Sequence, residues 1–424
     1  MINRPKGTKD VVPSEVWKWQ YVEKVAKECL KNSGFKEIRT PTFEHTELFV
    51  RGVGEGSDIV NKEMYTFLDK GERSITLKPE GTASIVRALI ENGLDNEAMP
   101  QKLFMLTPCF RYEKPQSGRL REHHQFSIEA FGATSPVMDF EVISVVKSIF
   151  DKLNFHNYVL NINSIGCAEC RQEYIKALKG YYAKYIHNMC DDCKVRFEKN
   201  ALRILDCKDE RCLPLKKDAP KPRDYLCEEC KNHFNTLLEL LKINNIEYKI
   251  NDNLVRGIDY YSKTVFEFIV NENGALSTIC GGGRYDGLVK ELGGKDLSAV
   301  GVGLGIERIL ILLEKNQVEI PFEQNIDLYL ANPDAKDIVK ITFLASKLRQ
   351  SGISVEFDTM QRSLKAQMKY ANKINASYAM ILGEEEFSNN QAELKNMRAE
   401  GLTKVGFETQ KDIQKIVDII KGGN

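Results

Sequence analysis

Gln101–Gly132 reads QKLFMLTPCFRYEKPQSGRLREHHQFSIEAFG: two strand-like runs joined by a long arginine-bearing loop. On the return strand, period-two alternation puts Phe126, Ile128 and Ala130 on one face and Gln125, Ser127 and Glu129 on the other. The same count puts Thr107, Cys109, Arg111 and Glu113 on one side of the outgoing strand. A hairpin this rich in apolar residues belongs inside a sheet, yet ionised groups are not buried without partners. Arg111, Glu113, Gln125 and Glu129 are therefore expected to form the floor of a polar pocket. The loop adds Lys114, Arg119 and Arg121, with Pro115 and Gly118 as turn residues. The competing reading is an edge hairpin whose charges are merely solvated.

Upstream, Glu15 to Asn32 carries a helical apolar stripe (Val22, Val25, Ala26, Cys29, Leu30), stopped by Ser33-Gly34. A strand over Phe35–Arg39 follows and ends at Pro41. Met64–Leu68 and Ser74–Leu77 read as a hairpin around Asp69-Lys70-Gly71-Glu72. A helix is expected from Thr82 to Asn92, with Thr82 as its N-cap; Glu80, just outside, has a weaker structural reason to be there.

Downstream come a helix over Val137–Leu153 and a strand over Tyr158–Asn163. Between Cys167 and Cys230 lie eight of the chain's 11 cysteines, as Cys167/Cys170, Cys190/Cys193, Cys207/Cys212 and Cys227/Cys230. In a reducing compartment such pairs argue for metal before disulfides. With Pro214, Pro220 and Pro222, this segment should hold short helices at best and little core, where a metal staple helps. Four pairs could furnish two four-thiolate zinc sites; the spacing leaves open which pair meets which. Regular structure resumes with a helix over Phe234–Lys242 and a strand over Thr264–Val270. Arg256, Asp259, Tyr260 and Tyr261 precede that strand, and Gly281-Gly282-Gly283 lets backbone approach a ligand or another strand. Ser298–Gly303 is a small-residue strand running into the helix Gly305–Glu314, with Ile306, Ile309, Leu310 and Leu313 on its buried stripe. Arg308 sits in that helix's first turn, where the dipole opposes a cation unless an anion joins it.

After the linker Gln317–Gln324 the texture changes. Strands and helices alternate over Asp327–Ala331, Lys336–Gln350, Ser354–Phe357, Leu364–Asn375 and Tyr378–Leu382, the pattern of a small α/β domain with a parallel sheet. Arg362, Lys365, Lys369 and Lys373 make a basic stripe with no acidic residue between Asp358 and Glu384, either a solvated face or a phosphate contact.

Composition limits the function. Lysine plus arginine equals aspartate plus glutamate, 60 each, so any polyanion must be held by local patches. No window approaches ~18 uninterrupted apolar residues and MINRPKGTKD has no signal-peptide core, so a cytoplasmic protein without a membrane partner is expected. The glycine runs Gly52–Gly56 and Gly301–Gly305 do not space as G-x-G-x-x-G, and no phosphate loop of the G-x-x-x-x-G-K-[ST] type occurs.

These stretches together resemble the class II aminoacyl-tRNA synthetases, and among them the histidyl-tRNA synthetases. Gly34-Phe35 through Pro41 looks like motif 1, Phe110-Arg111-Tyr112-Glu113 with its loop like motif 2, and Gly301 to Arg308 like motif 3. Leu254 to Tyr261 and Gly282-Gly283-Arg284-Tyr285-Asp286-Gly287 resemble the two histidine-specific signatures. Pro79 to Ala83 and Gly7-Thr8-Lys9-Asp10 fit the same family. The resemblance implies an α+β fold: an antiparallel-sheet catalytic domain over 1–325, interrupted by the cysteine-rich insertion 165–232, and a C-terminal α/β anticodon-binding domain over 326–424. It implies a homodimer through motif 1, ATP with Mg2+, L-histidine and tRNA(His), and ATP-dependent ligation through a histidyl-adenylate.

Residue by residue, the resemblance puts Arg111 on the α-phosphate, Glu113 on the adenine amino group, Arg308 on the γ-phosphate side and Arg256 on the substrate carboxylate and α-phosphate. Glu80, Gly81, Thr82, Gln125, Glu129, Tyr260, Tyr261 and Tyr285 would surround histidine, and His123 and Gly303 would join the ATP site. Arg119, Arg121, Arg362, Lys365 and Lys369 are the candidates for tRNA. Two positions depart from the family pattern: His123 stands where a phenylalanine stacks on adenine, and Ser127 where glycine is commoner. Activation brings a carboxylate against a triphosphate, and arginine forks orient both anions without a proton to lose. Two rivals share parts of this pattern. A non-catalytic paralogue in histidine biosynthesis should lack the C-terminal domain and have eroded Arg256 or Arg308 positions, and a zinc-ribbon adaptor would leave the catalytic motifs unexplained.

Overall fold

The computed structural model describes all residues except 1, 55–56, 117, 259, 273–274, 322–325, 334–336, 400 and 423–424, and the side chains of 271–272 and 275–276. Asp259, Lys336 and part of the linker named above lie outside the described residues. The chain separates into two compact units, Met1–Pro321 and Phe322–Asn424.

In the first unit, α1 (Pro13–Asn32) starts with proline at its first turn, where no N–H is missed. Its stripe Val22, Val25, Ala26, Cys29 and Leu30 is buried, as the spacing predicts. The strand expected over Phe35–Arg39 shrinks to β1 (Lys36–Glu37) at a sheet edge. A small three-stranded sheet follows, β2 (Phe43–His45), β3 (Tyr65–Leu68) and β4 (Ser74–Leu77), with α2 (Thr46–Val53) inserted. Then come α3 (Thr82–Glu91) and the long hairpin β5 (Gln101–Phe110) and β6 (Glu122–Phe131). Helix α4 (Pro136–Lys152) leads to β7 (Val159–Ser164) and the insertion, which holds α5 (Ala168–Tyr182) and α6 (Asp191–Lys199). Helix α7 (Glu228–Ile243), β8 (Tyr248–Ile250), β9 (Ser262–Glu272), β10 (Ala275–Arg284), α8 (Leu288–Glu291), β11 (Ala299–Gly305) and α9 (Ile306–Lys315) complete the unit.

The main sheet runs β1-β5-β6-β11-β10-β9-β7-β8, antiparallel except where the short β1 and β8 join. The opening hairpin is therefore interior, not a solvated edge. One face carries Phe126, Ile128, Ala130, Val300, Val302, Leu304, Phe266 and Phe268, packed against α1, α4, α7 and α9. In α9 the buried stripe is Ile306, Ile309, Leu312 and Leu313; Leu310, expected among them, is only partly buried.

Below β10 lies a buried charge pair. Arg284 and Asp139 of α4 have fully buried side chains, and the guanidinium also donates to the Ala133 carbonyl (2.8 Å). The same aspartate faces His233 of α7 at 3.4 Å. Removing either member would strand the other's charge, so this pair ties two helices to one register of the sheet.

The insertion departs from the expectation of short helices: α5 has 15 residues, and an apolar cluster joins Tyr174, Leu178 and Tyr182 to Ile204, Leu205 and the four cysteines Cys190, Cys193, Cys207 and Cys212. Cys227 caps α7, which begins at Glu228 and so takes the last pair into its first turn. Propensity rules missed these helices because their apolar faces are short and completed by thiols.

The second unit has β12 (Leu328–Ala331), α10 (Ile338–Gln350), β13 (Val355–Phe357), α11 (Leu364–Lys373), β14 (Tyr378–Ile381), α12 (Glu384–Asn389), β15 (Gln391–Asn396), β16 (Leu402–Gly406) and α13 (Gln410–Gly422). Its order is β13-β12-β14-β15-β16. The first three strands are parallel, as expected; β15 and β16 add antiparallel, so the sheet is mixed. In β15 the alternation is regular, buried at Ala392 and Leu394 and exposed at Glu393 and Lys395, but two apolar residues make a weak signal in sequence. Among the described residues no helix is long and apolar enough to cross a membrane.

Candidate active site

The face of the main sheet opposite the large core is where polar side chains collect. One register row runs Met105, Ser127, Gly303, Gly281, Glu267 and Asn161 across β5, β6, β11, β10, β9 and β7. The next row carries Leu103, Glu129, Gly301, Gly283 and Val265. Glycine occupies this face at 301, 303 and 305 of β11, leaving a trench where side chains would stand. A Cβ at Gly301 would lie 1.6 Å from Glu129 Oε2, and one at Gly281 2.5–2.6 Å from the Arg256 guanidinium. These positions stay glycine because larger neighbours lie across them.

The trench opens into a cavity of about 380 Å³, within the usual range for small-molecule sites. Arg111, Arg256 and Arg308 all line it, together with Glu80, Thr82, Glu113, Arg119, His123, Gln125, Tyr260, Tyr261 and Gly303. The three arginines enter from a strand end, a loop and a helix N-terminus, and they share one hollow. Arg111 Nε donates to the Pro79 carbonyl (2.8 Å). Arg256 pairs with Glu267, whose other oxygen accepts from Thr278 Oγ1 (3.2 Å). The buried Arg256 Nε has no partner among the described residues. Arg308 donates to the carbonyls of Thr278 and Gly118.

Behind the Thr82 side of the wall sits a carboxyl in unusual surroundings. Glu129 is 1 % exposed; Oε1 accepts from Thr82 Oγ1 (2.7 Å) and Oε2 from the Tyr285 hydroxyl. Burial pushes its pKa up to about 8, against the lowering effect of those two donors. The Tyr285 and Tyr260 hydroxyls are held well above their ordinary range, chiefly by burial, and remain donors. The rings of Tyr260 and Tyr261 lie 4.8 Å apart, and those of Tyr260 and Tyr285 5.3 Å. Gly81, Glu129 and Tyr285 stand behind the cavity wall, where Gly81 leaves space for Ser127.

Two expectations need correction here. Thr82 is not the N-cap of α3: Gly81 is, and the Glu80 carboxylate caps the helix, accepting from the amides of Thr82 (2.7 Å) and Ala83 (2.8 Å). Glu80 thus has the strong structural reason it lacked in sequence, and Thr82 is free to brace Glu129. Burial raises the Glu80 pKa, with these amides opposing. Second, Arg362 is not on the basic helix face. It precedes α11, pairs with Asp358 (3.3 Å) and lies over the Tyr370 ring, leaving Lys365, Lys369 and Lys373 exposed on the helix.

At the mouth, Arg119 faces Glu113 (3.5 Å), while Arg121 lies over Tyr112 (3.8 Å) with its Nε on the Glu113 carbonyl (3.2 Å). His123 is pushed down to about 3 by burial and by Arg111, His124 and Arg308, so its ring is neutral. Sequence reasoning gave no role to Glu267, to Glu307 or to Arg203. Glu307 accepts from the His124 amide (2.8 Å) and fixes the end of β6 against α9. Its place one residue before Arg308 was the available signal.

The eight cysteines resolve into two groups, Cys167/Cys170/Cys227/Cys230 and Cys190/Cys193/Cys207/Cys212, each with its sulfurs within 4.8 Å of one another. The Cys167–Cys170 and Cys190–Cys207 separations are 3.5 and 3.7 Å. A tetrahedron with ~2.3 Å metal–sulfur bonds has edges of ~3.8 Å, whereas a disulfide needs about 2.05 Å. Backbone amides of Cys227, Cys190 and Asp209 point at Cys170, Cys212 and Cys207 Sγ (3.1–3.4 Å), outer donors of the kind that orient metal-binding sulfurs. The donor sets fit zinc.

Residues 7–309 match a family model described as histidyl-tRNA synthetase, and residues 333–421 one described as an anticodon binding domain. A histidine–tRNA ligase of Caldanaerobacter subterraneus subsp. tengcongensis is 53% identical over 98% of this chain and 99% of that protein. One of Thermoanaerobacter pseudethanolicus is 54% identical over 98% of each. The crystal structure of apo S. aureus histidyl-tRNA synthetase superposes with a TM-score of 0.83 at 35% identity, covering 100% of this chain and 99% of that one. With the class II sheet, the anticodon-type unit and the arginine-lined cavity already in place, this chain belongs to the histidyl-tRNA synthetase family.

Proposed function

We propose that the cavity activates L-histidine with ATP and transfers the histidyl group to tRNA(His), releasing AMP and diphosphate. The observation that carries this reading is the convergence of Arg111, Arg256 and Arg308 on a hollow whose wall includes Thr82, backed by Glu129 and Tyr285. Two anions meet there, and fixed guanidinium groups offset their repulsion as charge builds on the α-phosphate. Arg111 and Arg256 hold the reacting phosphate and carboxylate, and Arg308 takes the outer phosphates from the α9 N-terminus. Glu113 and Gly303 bind the adenine end, with the neutral His123 ring stacked on it. Gln125, Tyr260 and Tyr261 close around the histidine, with Glu129 behind Thr82 as the acid that favours a ring N–H on that side; Glu80 keeps the α3 end in place. Mg2+ comes with ATP as substrate and prefers oxygen donors.

Retention of all three arginines and of the anticodon-type unit speaks against the non-catalytic paralogue. Exposed Lys365 and Lys369 on α11 and Arg119 at the cavity mouth are offered as tRNA contacts; Arg121 and Arg362 hold the structure around them. A cytoplasmic homodimer joined through Gly34–Pro41 completes the reading. ATP–pyrophosphate exchange measured with each of the twenty amino acids should respond to histidine alone; exchange with another amino acid, or with none, refutes the assignment.

Each thiol group is assigned one structural zinc. Protein purified without chelator should contain about two zinc ions per chain by elemental analysis, and less than about half an equivalent ends the assignment.

A further inference from the structure

The segment carrying Arg256, Tyr260 and Tyr261 has little regular structure of its own. It leans on the insertion: Leu254, Val255, Tyr261 and Val265 share one apolar cluster with Tyr174, Leu178 and Ile204. Its backbone carbonyls need donors, since a buried carbonyl without one costs stability. Two arginines of the insertion supply them. Arg171 follows Cys170 directly and donates from Nη1 to the Tyr261 carbonyl (2.8 Å). Arg203, on the turn Ala201–Asp206 between Cys193 and Cys207, donates from Nη1 to the Gly257 carbonyl (2.9 Å) and from Nη2 to Asp58 Oδ2 (2.8 Å). It is 8% exposed, lines the substrate cavity, and its Nε has no partner among the described residues. Each thiol group therefore stands next to one arginine that grips the segment.

We propose that the cysteine-rich insertion is a metal-dependent clamp on the histidine-binding segment, each thiol group fixing one arginine, Arg171 or Arg203, on a carbonyl of Gly257–Tyr261. Zinc occupancy then governs affinity for histidine more than the rate of the chemical step. Arg171 and Arg203 are positioning residues, because they act on the backbone that carries Arg256 and the two tyrosines. The inference rests on the pocket and zinc assignments above.

Full-length, zinc-loaded protein tests it. Arg171→Ala and Arg203→Ala should each raise the histidine KM in pyrophosphate exchange about tenfold, the worth of one charged hydrogen bond, with kcat and the ATP KM changed less than about threefold. Arg203→Lys should fall between them and wild type, and Lys176→Ala, exposed on the same helix as Arg171, should match wild type. Backbone amide hydrogen exchange over residues 257–263 should quicken about tenfold in both alanine variants and in chelator-stripped wild type, and recover with added zinc chloride. Exchange over α9 should stay unchanged, which establishes that the variants are folded. Wild-type histidine KM in both alanine variants overturns the clamp, as does unchanged exchange over 257–263 after stripping. Absence of histidine-dependent activity in wild type would overturn the pocket assignment instead, and the hydrogen-exchange comparison would still decide the clamp.

Discussion

Arg256→Ala is expected to lose about 10²–10³-fold in kcat/KM for histidine-dependent pyrophosphate exchange, the usual cost of deleting one preorganised electrostatic donor. The side chain is positioned by two things visible in the fold. Glu267 holds one end of its guanidinium, and the absent side chain at Gly281 gives the planar group room against β10. Gly281→Ala should therefore copy much of the defect without touching the charge, since the added carbon would sit 2.5–2.6 Å from the guanidinium. Arg256→Lys restores the charge but not the fork, and should recover only part of the activity. Loss of the cation leaves Glu267 partly buried without its partner, a stability cost separable by pairing the change with Glu267→Gln. Thermal melts of both variants distinguish the two effects; activity within threefold of wild type in folded Arg256→Ala refutes the role.

Glu129→Gln should be the second large effect, and it carries a pH signature. In the unliganded protein this carboxyl keeps its proton up to about pH 8, because burial outweighs its two hydroxyl donors. Ionised Glu129 puts a negative charge behind the wall that faces the histidine ring and favours a ring N–H there, so the histidine KM should fall as pH rises from 7 to 9. The carboxamide cannot ionise. The variant should lose roughly 10²-fold or more in kcat/KM, in line with sites that read a substrate polar group, and its residual KM should be flat with pH. Stability moves the other way. The folded chain holds a proton that the unfolded chain releases near pH ~4.3. This group's contribution is therefore fully present below that value and lost as pH rises through 8. Glu129→Gln escapes that loss and should melt higher than wild type at pH 8.5. A wild-type KM profile in the variant would remove Glu129 from histidine recognition.

The hairpin Gln101–Gly132 was legible because each physical rule pointed the same way: alternation fixed the faces, and polar residues in an interior strand required a ligand-facing side. The convergence of three arginines far apart in sequence was legible through motif resemblance alone, since no local pattern places Arg256 beside Arg111. Glu80 was misread for a different reason. A glutamate two residues ahead of a helix can reach its first amides, but the threonine at 82 was the more familiar capping type. Tertiary packing decided the matter by recruiting the Thr82 hydroxyl to Glu129. The insertion was the least legible stretch. Its helices have faces completed by sulfur, and the partnering of cysteine pairs depends on how α5 and α7 return toward each other, which spacing does not encode.

The glycine trench of β11 has a directional consequence for the way such a pocket can diverge. The side chains of Glu129 and Gln125 lie across Gly301 and Gly303, and nothing is smaller than a hydrogen. Substitutions at 301 or 303 can only take room away, so descendants of this site that accept a bulkier amino acid would have to find the space in the walls, among the tyrosines and Gln125, while the floor acts as a ratchet toward narrower selectivity.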